Sequence, residues 1–271
     1  MSHFILRVFI FSIFFSSLTF AESSIDKQLL KIINDETRIE KNSNRDAFRN
    51  PLETLKYFGL SNSNSVLEIT PGAGWYTEII APYVKESGIF YAAVIDPKSI
   101  DNPFFAKLLR KYENFLTKFP DKFNKVEIIK YDYNNPEFSP QKKVDYVLTF
   151  RNVHNWAKNG TSDQMFQSFY RSLKKGGILG VVEHRAMENT SLEKQIKTGY
   201  MTEKYVIDLA VKTGFKFVDK SEVNANSLDD RNHPNGVWTL LPNLRGLEND
   251  EKDYYRKIGE SDRMTLKFVK E

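Results

Sequence analysis

The sequence predicts an α/β protein with a mostly parallel sheet, and the clearest sign is a strand, a turn and a helix over residues 66–77. The mostly apolar run Val66–Ile69 is followed by Gly72 and Gly74 and then by a helical pattern. A second sign is a continuous apolar run such as Ile89–Ile95, because buried parallel strands lack polar alternation. A third is the helical pattern between such runs, since alternating strands and helices are typical of a parallel sheet.

The glycine turn indicates a ligand site. Gly has no Cβ, so the backbone of Gly72 and Gly74 can approach a bound molecule closely. The two residues supply two glycines of the dinucleotide fingerprint G-x-G-x-x-G, but Thr77 holds the third position. A glycine-rich turn is also found in α/β proteins as a connector without a ligand. The residues at the ends of the later strands must therefore distinguish a ligand-binding turn from a simple connector.

Polar side chains follow four predicted strands: Glu68 the first, Asp96 the second, Asp132 the third and Asn152 the fourth. The carboxyl ends of parallel strands share one edge of the sheet, where α/β proteins bind ligands. Asp96 lies 22 residues after Gly74, at the place where an acid binds a ribose. We therefore expect a ligand with a ribose at this edge.

The helical pattern and the remaining apolar runs complete the predicted element order. A fifth strand is expected at 178–182, after Gly176 and Gly177 close a helix. The sheet is expected to close with two further strands. Predicted helices cover residues 25–40, 45–59, 76–84, 101–119, 162–173 and 201–213, and the closing strands cover 215–223 and 237–241.

Residues 1–21 have the layout of a secretory signal peptide. Arg7 precedes the apolar run Val8–Phe15, and the small residues Thr19 and Ala21 stand at positions −3 and −1 of a cleavage site. The run is too short for a spanning helix. We expect an exported protein, periplasmic or secreted, with no stable membrane span after cleavage; the absence of cysteine agrees with an oxidising compartment.

The charge is nearly balanced. Removal of residues 1–21 takes away Arg7 and no acid, so the basic residues fall from 39 to 38 against 35 acids, a net charge of +3. The charges are scattered, which argues against nucleic acid and leaves a small molecule as the expected substrate. His154, His184 and His233 lack the short spacing of a zinc site, so no metal is predicted. Oligomeric state is not indicated.

The residues Val66-Leu67-Glu68 and Pro71-Gly72-Ala73-Gly74 resemble the first motif of class I S-adenosylmethionine-dependent methyltransferases, V-L-[DE]-x-G-x-G-x-G, with Thr70 at its first glycine. The run Trp75–Ile79 is similar to that of a group of exported, uncharacterised predicted methyltransferases. The resemblance covers about residues 45–242. It implies a Rossmann-like fold with a seven-stranded, mostly parallel sheet and helices on both faces. The expected organisation is a signal peptide at 1–21, a helical segment at 22–60, the methyltransferase domain at 61–243 and an extension at 244–271.

The resemblance also implies S-adenosylmethionine as cofactor. Asp96 would bind its ribose, Asp132 its adenine amino group, and Tyr133 would pack on the adenine ring. The polar segment after the fourth strand would face the substrate. The expected cofactor-binding residues are Glu68, Thr70, Pro71, Gly72, Gly74, Tyr76, Asp96, Asp132, Tyr133 and Asn152.

Methyl transfer is an in-line displacement, so the protein must chiefly position the nucleophile and exclude water. His154, with Asn155 beside it, is the candidate catalytic group because an imidazole accepts a proton near neutral pH. The alternative for His154 is a hydrogen bond within its own loop. If the segment stays extended, Asn152 and His154 point the same way. Arg45 and Arg49 suit either a solvated helix entrance or a clamp for a substrate carboxylate.

A second hypothesis is an exported protein that binds an adenosyl ligand without catalysis. S-adenosylmethionine is made in the cytosol, whereas the predicted signal peptide directs the chain out of it. Thr70 in place of glycine favours this alternative, while Glu68, Asp96 and Asp132 favour the enzyme. The sequence does not indicate the methyl acceptor.

Overall fold

Seven strands form one sheet in the part of the chain that the computed structural model describes, residues 27–271. The bounds are Ser65–Ile69 (β1), Ile89–Ile95 (β2), Val126–Tyr131 (β3), Val144–Phe150 (β4), Leu173–His184 (β5), Phe215–Ser221 (β6) and Arg263–Lys270 (β7). Their order is β3-β2-β1-β4-β5-β7-β6. Pairings among β1 to β5 are parallel, and β7 is antiparallel to both β5 and β6. The predicted α/β fold with a mostly parallel seven-stranded sheet is thus confirmed.

The helices of the described chain lie before the first strand and between the strands. Several are single turns, and the longest covers 16 residues. They are 27–33 (α1), Glu40–Ser43 (α2), Asp46–Arg49 (α3), Pro51–Phe58 (α4), Thr77–Val84 (α5), Pro103–Lys118 (α6), Pro120–Phe123 (α7), Val153–Asn159 (α8), Ser162–Ser172 (α9), Leu192–Thr198 (α10), Glu203–Thr213 (α11) and Asn249–Ile258 (α12).

Both faces of the sheet are covered by helices. Every residue of β1 is buried, as expected for a central parallel strand. On one face, Val66 packs in a cluster with residues of α4, α5 and α6; on the other, Leu67 and Ile69 pack in a cluster with residues of α8, α9 and α11. The helices thereby leave the carboxyl edge of β1 and β4 as the place where loops meet.

The prediction of a closing strand at 237–241 is wrong. Gly236–Thr239 form a 3-10 turn, and Val237 is buried against Tyr200 outside the sheet. The strand beside β5 is β7, which lies within the segment 244–271 that was expected to be an extension. A short apolar run cannot by itself distinguish a strand from another buried segment.

The condition under which Asn152 and His154 would point the same way, an extended chain after β4, is not met. Arg151 has a positive φ of 63°, which turns the backbone, and α8 begins at Val153. Asn152 and His154 are therefore separated by a helix start rather than by one strand repeat. The expected helix closure at Gly176 does not occur either, because α9 ends at Ser172 and β5 already includes Gly176.

Within residues 27–271, no helix combines the length and the apolar character needed to cross a membrane. The expected signal peptide at 1–21 lies outside the described residues.

Candidate active site at the carboxyl edge of the sheet

The glycine turn, residues 70–74, joins β1 to α5 in an unusual backbone conformation. Thr70, Gly72 and Gly74 have positive φ angles of 51°, 63° and 87°. A β-branched residue is rarely found in this region. Thr70 is held there by neighbouring strands: its N–H donates to the carbonyl of Ala93 at 2.8 Å, and its hydroxyl lies 2.8 Å from the Tyr131 hydroxyl. The turn is therefore fixed by two contacts, one to β2 and one to β3, despite the missing first glycine.

The two glycines serve different purposes. A Cβ on Gly74 would lie 2.7 Å from the ring of Phe115, so Gly74 permits close packing of α6. A Cβ on Gly72 would meet no atom within 4 Å. Gly72 thus presents open space, as a backbone that approaches a ligand requires.

Glu68 lies behind the glycine turn. It is 2% exposed, and its carboxyl accepts a hydrogen bond of 2.6 Å from the Thr77 hydroxyl, which also lies 3.1 Å from the hydroxyl of Tyr112. Burial raises the pKa of Glu68 to about 8, although the Thr77 hydrogen bond opposes the rise. Glu68 therefore ties the turn to α5 and α6, and this bond explains a hydroxyl-bearing Thr77 at the third fingerprint position.

Asp96 and Asp132 follow neighbouring strands and have one carboxylate oxygen each in a local turn. Oδ1 of Asp96 accepts from the N–H of Lys98 at 3.0 Å. Oδ1 of Asp132 accepts from the N–H groups of Asn134 and Asn135 at 2.7 and 2.9 Å. In neither residue does Oδ2 bond to another described residue. Asp96 is half-buried and Asp132 is exposed, so both retain an oxygen for a ligand.

The space in front of the glycine turn is narrow because the start of α6 covers it. Phe105 of α6 packs against Tyr133 with ring centroids 5.2 Å apart. The remaining cavity is about 20 Å³, roughly the room of one water molecule. It is lined by Thr70, Pro71, Gly72, Val94, Ile95, Phe105, Leu108, Leu109 and Tyr112.

Asn152 links the segment after β4 to the glycine turn. Its side-chain amide donates to the carbonyl of Ile69 and to the hydroxyl of Thr149, both at 3.1 Å. Asn152 thus lies where the strand order reverses between β1 and β4, which is the usual ligand site of an open α/β sheet.

The ring of Tyr76 points into the protein, is 4% exposed and stacks on Phe150 at 3.4 Å between centroids.

His154 is paired with a carboxylate that the sequence did not single out, Glu183 at the end of β5. Oε1 of Glu183 lies 3.0 Å from His154 Nδ1, and the carboxylate also accepts from the N–H groups of Val153 and His184 at 2.5 and 2.8 Å. This environment assigns the proton to Nδ1. His154 Nε2 makes no hydrogen bond to a described residue, so it is the nitrogen that can accept a proton.

His184 and Asn155, the other polar residues near His154, differ from it in their surroundings. The rings of His154 and His184 are 5.4 Å apart, and His184 Nδ1 lies 2.5 Å from the Ser261 hydroxyl. Burial, together with the nearby His154, Arg151 and Arg263, lowers the pKa of His184 well below its usual value. Asn155 is exposed on α8, whereas His154 is buried.

The three histidines do not meet. His233 Nε2 lies 2.8 Å from Asp229, in a separate group. His154, Glu183 and His184 have ligand atoms within 4.8 Å of one another, a distance compatible with a metal ion. Because three N–H groups already occupy the Glu183 carboxylate, the contacts favour a hydrogen-bonded pair over a metal site.

A cavity of about 270 Å³, the arginine cavity, opens beside His154. One part of its wall is basic and the other is apolar and aromatic. Its residues come from segments near the two ends of the described chain and from its middle. They are Arg45, Arg49, Arg151, His154, His184, Val237, Trp238, Leu241, Pro242, Asn243, Glu260 and Ser261.

Four arginines surround one buried carboxylate at this cavity, that of Glu260. The nitrogen–oxygen distances are 2.5 Å for Arg45, 3.1 Å for Arg49, 3.6 Å for Arg151 and 3.3 Å for Arg263. Glu260 and Arg49 are 3% and 1% exposed. Arg45 and Arg49 thus line a buried basic site rather than a solvated helix entrance.

Comparison with solved structures places this site in a known fold. No protein-family model and no curated protein match the chain. A SAM dependent methyltransferase from Aquifex aeolicus is 19% identical, covers 73% of this chain and 93% of its own, and has a TM-score of 0.52. The glycopeptide N-methyltransferase MtfA, complexed with S-adenosyl-L-homocysteine, is 13% identical, with 83% and 90% coverage and a TM-score of 0.53.

The chain therefore has the fold of the class I S-adenosylmethionine-dependent methyltransferases. The [4+2]-cyclase SpnF has the same fold at 13% identity, with 92% and 94% coverage and a TM-score of 0.59. At these identities the similarity shows the fold alone. The function depends on the residues of the site, because one fold supports several reactions.

Proposed function

We propose that this chain is an S-adenosylmethionine-dependent methyltransferase acting on a small molecule. The observation that carries the proposal is the open side of Gly72, at the carboxyl end of β1 where the strand order reverses. Ligands of open α/β sheets bind at this point. The fold shared with the methyltransferases supports it.

The residues at this edge fit an adenosyl ligand in their chemistry. Oδ2 of Asp96 would accept hydrogen bonds from ribose hydroxyls, and Asp132 would accept one from the adenine amino group. S-adenosylmethionine, when bound, supplies a methyl group on a sulfonium. Because the present cavity has room for about one water, the start of α6 around Phe105 must move outward for such a ligand to enter.

His154 is the proposed base. Glu183 holds the proton on Nδ1, which leaves the lone pair of Nε2 directed to an acceptor hydroxyl or amine that loses its proton on methylation. The arginine cavity, which His154 lines, is the proposed acceptor site. Trp238 packs edge-to-face against His154 with ring centroids 6.1 Å apart and helps to exclude water.

Titration calorimetry of the mature protein with S-adenosylmethionine and S-adenosylhomocysteine tests the proposal. Asp96→Ala should weaken binding about tenfold or more, because charge-assisted hydrogen bonds contribute about 1.5–3 kcal/mol. Asp96→Asn keeps a side-chain acceptor for the Lys98 N–H and should also weaken binding. Asp101→Ala is the matched control, since Asp101 is an exposed acid of the same loop.

Absence of binding by the wild-type protein would contradict the methyltransferase proposal. Equal affinity of the wild type and Asp96→Ala would remove Asp96 from the site. Binding without methyl transfer to any acceptor would instead support the non-catalytic adenosyl-binding hypothesis.

A further inference from the structure

The arginine cavity contains more positive charge than its acids balance. Arg45, Arg49 and Arg151 line it, and together with Arg263 next to the cavity they place four guanidinium groups around the single carboxylate of Glu260. Two further buried acids nearby are already occupied: Glu183 accepts three N–H hydrogen bonds, and Asp262 is paired with Arg185 and Arg231. Taking an unbalanced charge out of water is costly, so a buried excess of this kind indicates an anionic partner.

Arg49 supplies an independent observation. Its Nε is bonded to Glu260, whereas Nη1 and Nη2 are buried and have no hydrogen-bond partner. The guanidinium carbon lies over the ring of Trp75, 4.6 Å from its centroid, and this contact together with the Glu260 bond restrains the group. Two adjacent N–H groups in one plane match the two oxygens of a carboxylate. A buried donor left unpaired costs about 1–3 kcal/mol, which a ligand oxygen would recover.

The apolar wall of the arginine cavity indicates the chemistry of the rest of the ligand, beyond its carboxylate. Val237, Leu241 and Pro242 are apolar, and Trp238 adds an aromatic surface. The volume of about 270 Å³ is close to the lower limit of about 300 Å³ for small-molecule sites. The site therefore suits a carboxylate at one end of a compact apolar or aromatic body.

We infer that the arginine cavity binds the carboxylate of a small apolar or aromatic acid, held by Arg49 and Arg151, with the body of the acid against Trp238. Its role as the methyl acceptor rests on the proposed function, because His154 would then face the same molecule. The binding of the acid does not depend on that role.

Calorimetry with benzoate and with its uncharged isostere benzamide tests the inference on the full mature protein. Benzoate should bind at least tenfold more tightly than benzamide. Arg49→Met and Arg151→Met should each remove most of this preference. Glu260→Gln should strengthen benzoate binding severalfold, because it removes the negative charge that competes for the arginines and keeps the shape of the side chain.

These variants have opposite expected effects, so loss of folding in one of them leaves the inference testable. Of the three substituted residues, Arg49, Arg151 and Glu260, Arg151 is the most exposed: its side chain is 24% exposed and lies 3.6 Å from Glu260. Arg151→Met is therefore the substitution least expected to disturb folding. Equal affinities for benzoate and benzamide in the wild type would overturn the inference. Unchanged benzoate affinity in folded Arg49→Met or Arg151→Met would also overturn it.

S-adenosylmethionine has a carboxylate of its own, and a competition experiment separates the two sources. If the inference is correct, S-adenosylhomocysteine and benzoate bind together, and Arg49→Met leaves the affinity for S-adenosylhomocysteine unchanged. Displacement of benzoate by S-adenosylhomocysteine but not by methylthioadenosine, which lacks the carboxylate, would assign Arg49 to the cofactor and overturn the inference. If no adenosyl compound binds while benzoate does, the proposed function fails and the acid site stands.

Discussion

The hydroxyl of Thr77 donates a hydrogen bond of 2.6 Å to the carboxyl of Glu68, and both side chains are buried behind the glycine turn. The bond connects the end of β1 to the first turn of α5. In this protein the acid of the sequence motif thus supports the turn from inside, while Gly72 faces the open side. The shape of the glycine turn therefore depends on a buried acid that lies behind it.

Glu68 should make stability depend on pH. Its pKa is raised from 4.5 to about 8, so between these values the folded protein holds more protons than the unfolded chain. The unfolding free energy should therefore fall as pH rises through this window, by up to about 1.4 kcal/mol per pH unit. Chemical denaturation between pH 6.5 and 8 measures the slope, because the lowered pKa of His184 acts at lower pH.

Glu68→Gln should remove this slope, since glutamine does not titrate. Glu137→Gln, at an exposed acid, is the control and should retain it. A wild-type protein whose stability is constant from pH 6.5 to 8 would show that Glu68 is ionised when folded.

The two glycines of the turn should respond differently to alanine. Gly72→Ala places a Cβ in open space and should cost only the backbone strain of a positive φ, about 1–2 kcal/mol. Gly74→Ala adds an overlap with Phe115 and should cost about 1–3 kcal/mol more. Urea unfolding measures both. Only Gly72→Ala should stay well folded and lose affinity for S-adenosylhomocysteine; equal stabilities of the two variants would contradict this assignment.

His154→Ala should lower turnover by about 10²–10⁴ and leave cofactor affinity nearly unchanged, because a general base acts on the acceptor. Single-turnover kinetics and calorimetry measure the two quantities. A parallel loss of affinity and stability would instead assign His154 to holding its own loop. Wild-type turnover in the variant would exclude the base role.

Glu183→Gln tests how His154 is positioned. Glutamine has one acceptor oxygen for the three N–H groups that Glu183 now binds, so at least one loses its partner, at a cost of about 1–3 kcal/mol. The proton of His154 should no longer be fixed on Nδ1, which ¹⁵N NMR of the imidazole detects. An unchanged tautomer together with unchanged turnover would mean that Glu183 only supports the backbone.

Residues 1–21 are proposed to be absent from the mature protein. The intact mass of protein recovered from its native host should correspond to a chain that starts at Glu22. A mass that includes Met1 would reject cleavage and, with it, the proposed export by this route.

The parts of this fold that could be predicted are those with a local signal. β1, β2 and β4 are nearly continuous apolar runs, and the polar residues at their carboxyl ends, Glu68, Asp96 and Asn152, could be found by position alone. β7 could not be found this way, because its place beside β5 depends on pairing with residues about 85 positions earlier, such as Glu183 with Met264. Its apolar side chains largely alternate with polar ones, as in many antiparallel strands, so β7 lacks the continuous apolar run of a buried parallel strand.

The residues of the candidate site also divide into those with a local sequence signal and those that depend on distant contacts. His154 stood out because it follows a predicted strand, and Glu183 could have been noticed for the same reason, at the end of β5. Glu260 gave no such signal, since it meets Arg49 across 211 positions of sequence. Only the folded chain shows that Arg49 is buried and has two unpaired nitrogens.

The position of β7 has a consequence for the order in which the chain can fold during synthesis. β7 lies between β5 and β6 and pairs with both, yet it leaves the ribosome after them. Until residues 263–270 emerge, β6 has no partner strand and one side of β5 is an open edge, a target for aggregation or for a chaperone. Glu260 emerges nearly as late, so its pairing with Arg45 and Arg49 forms only then. The nascent chain can assemble β1 to β5 early, but the seven-stranded sheet is complete only after residue 270 has left the ribosome.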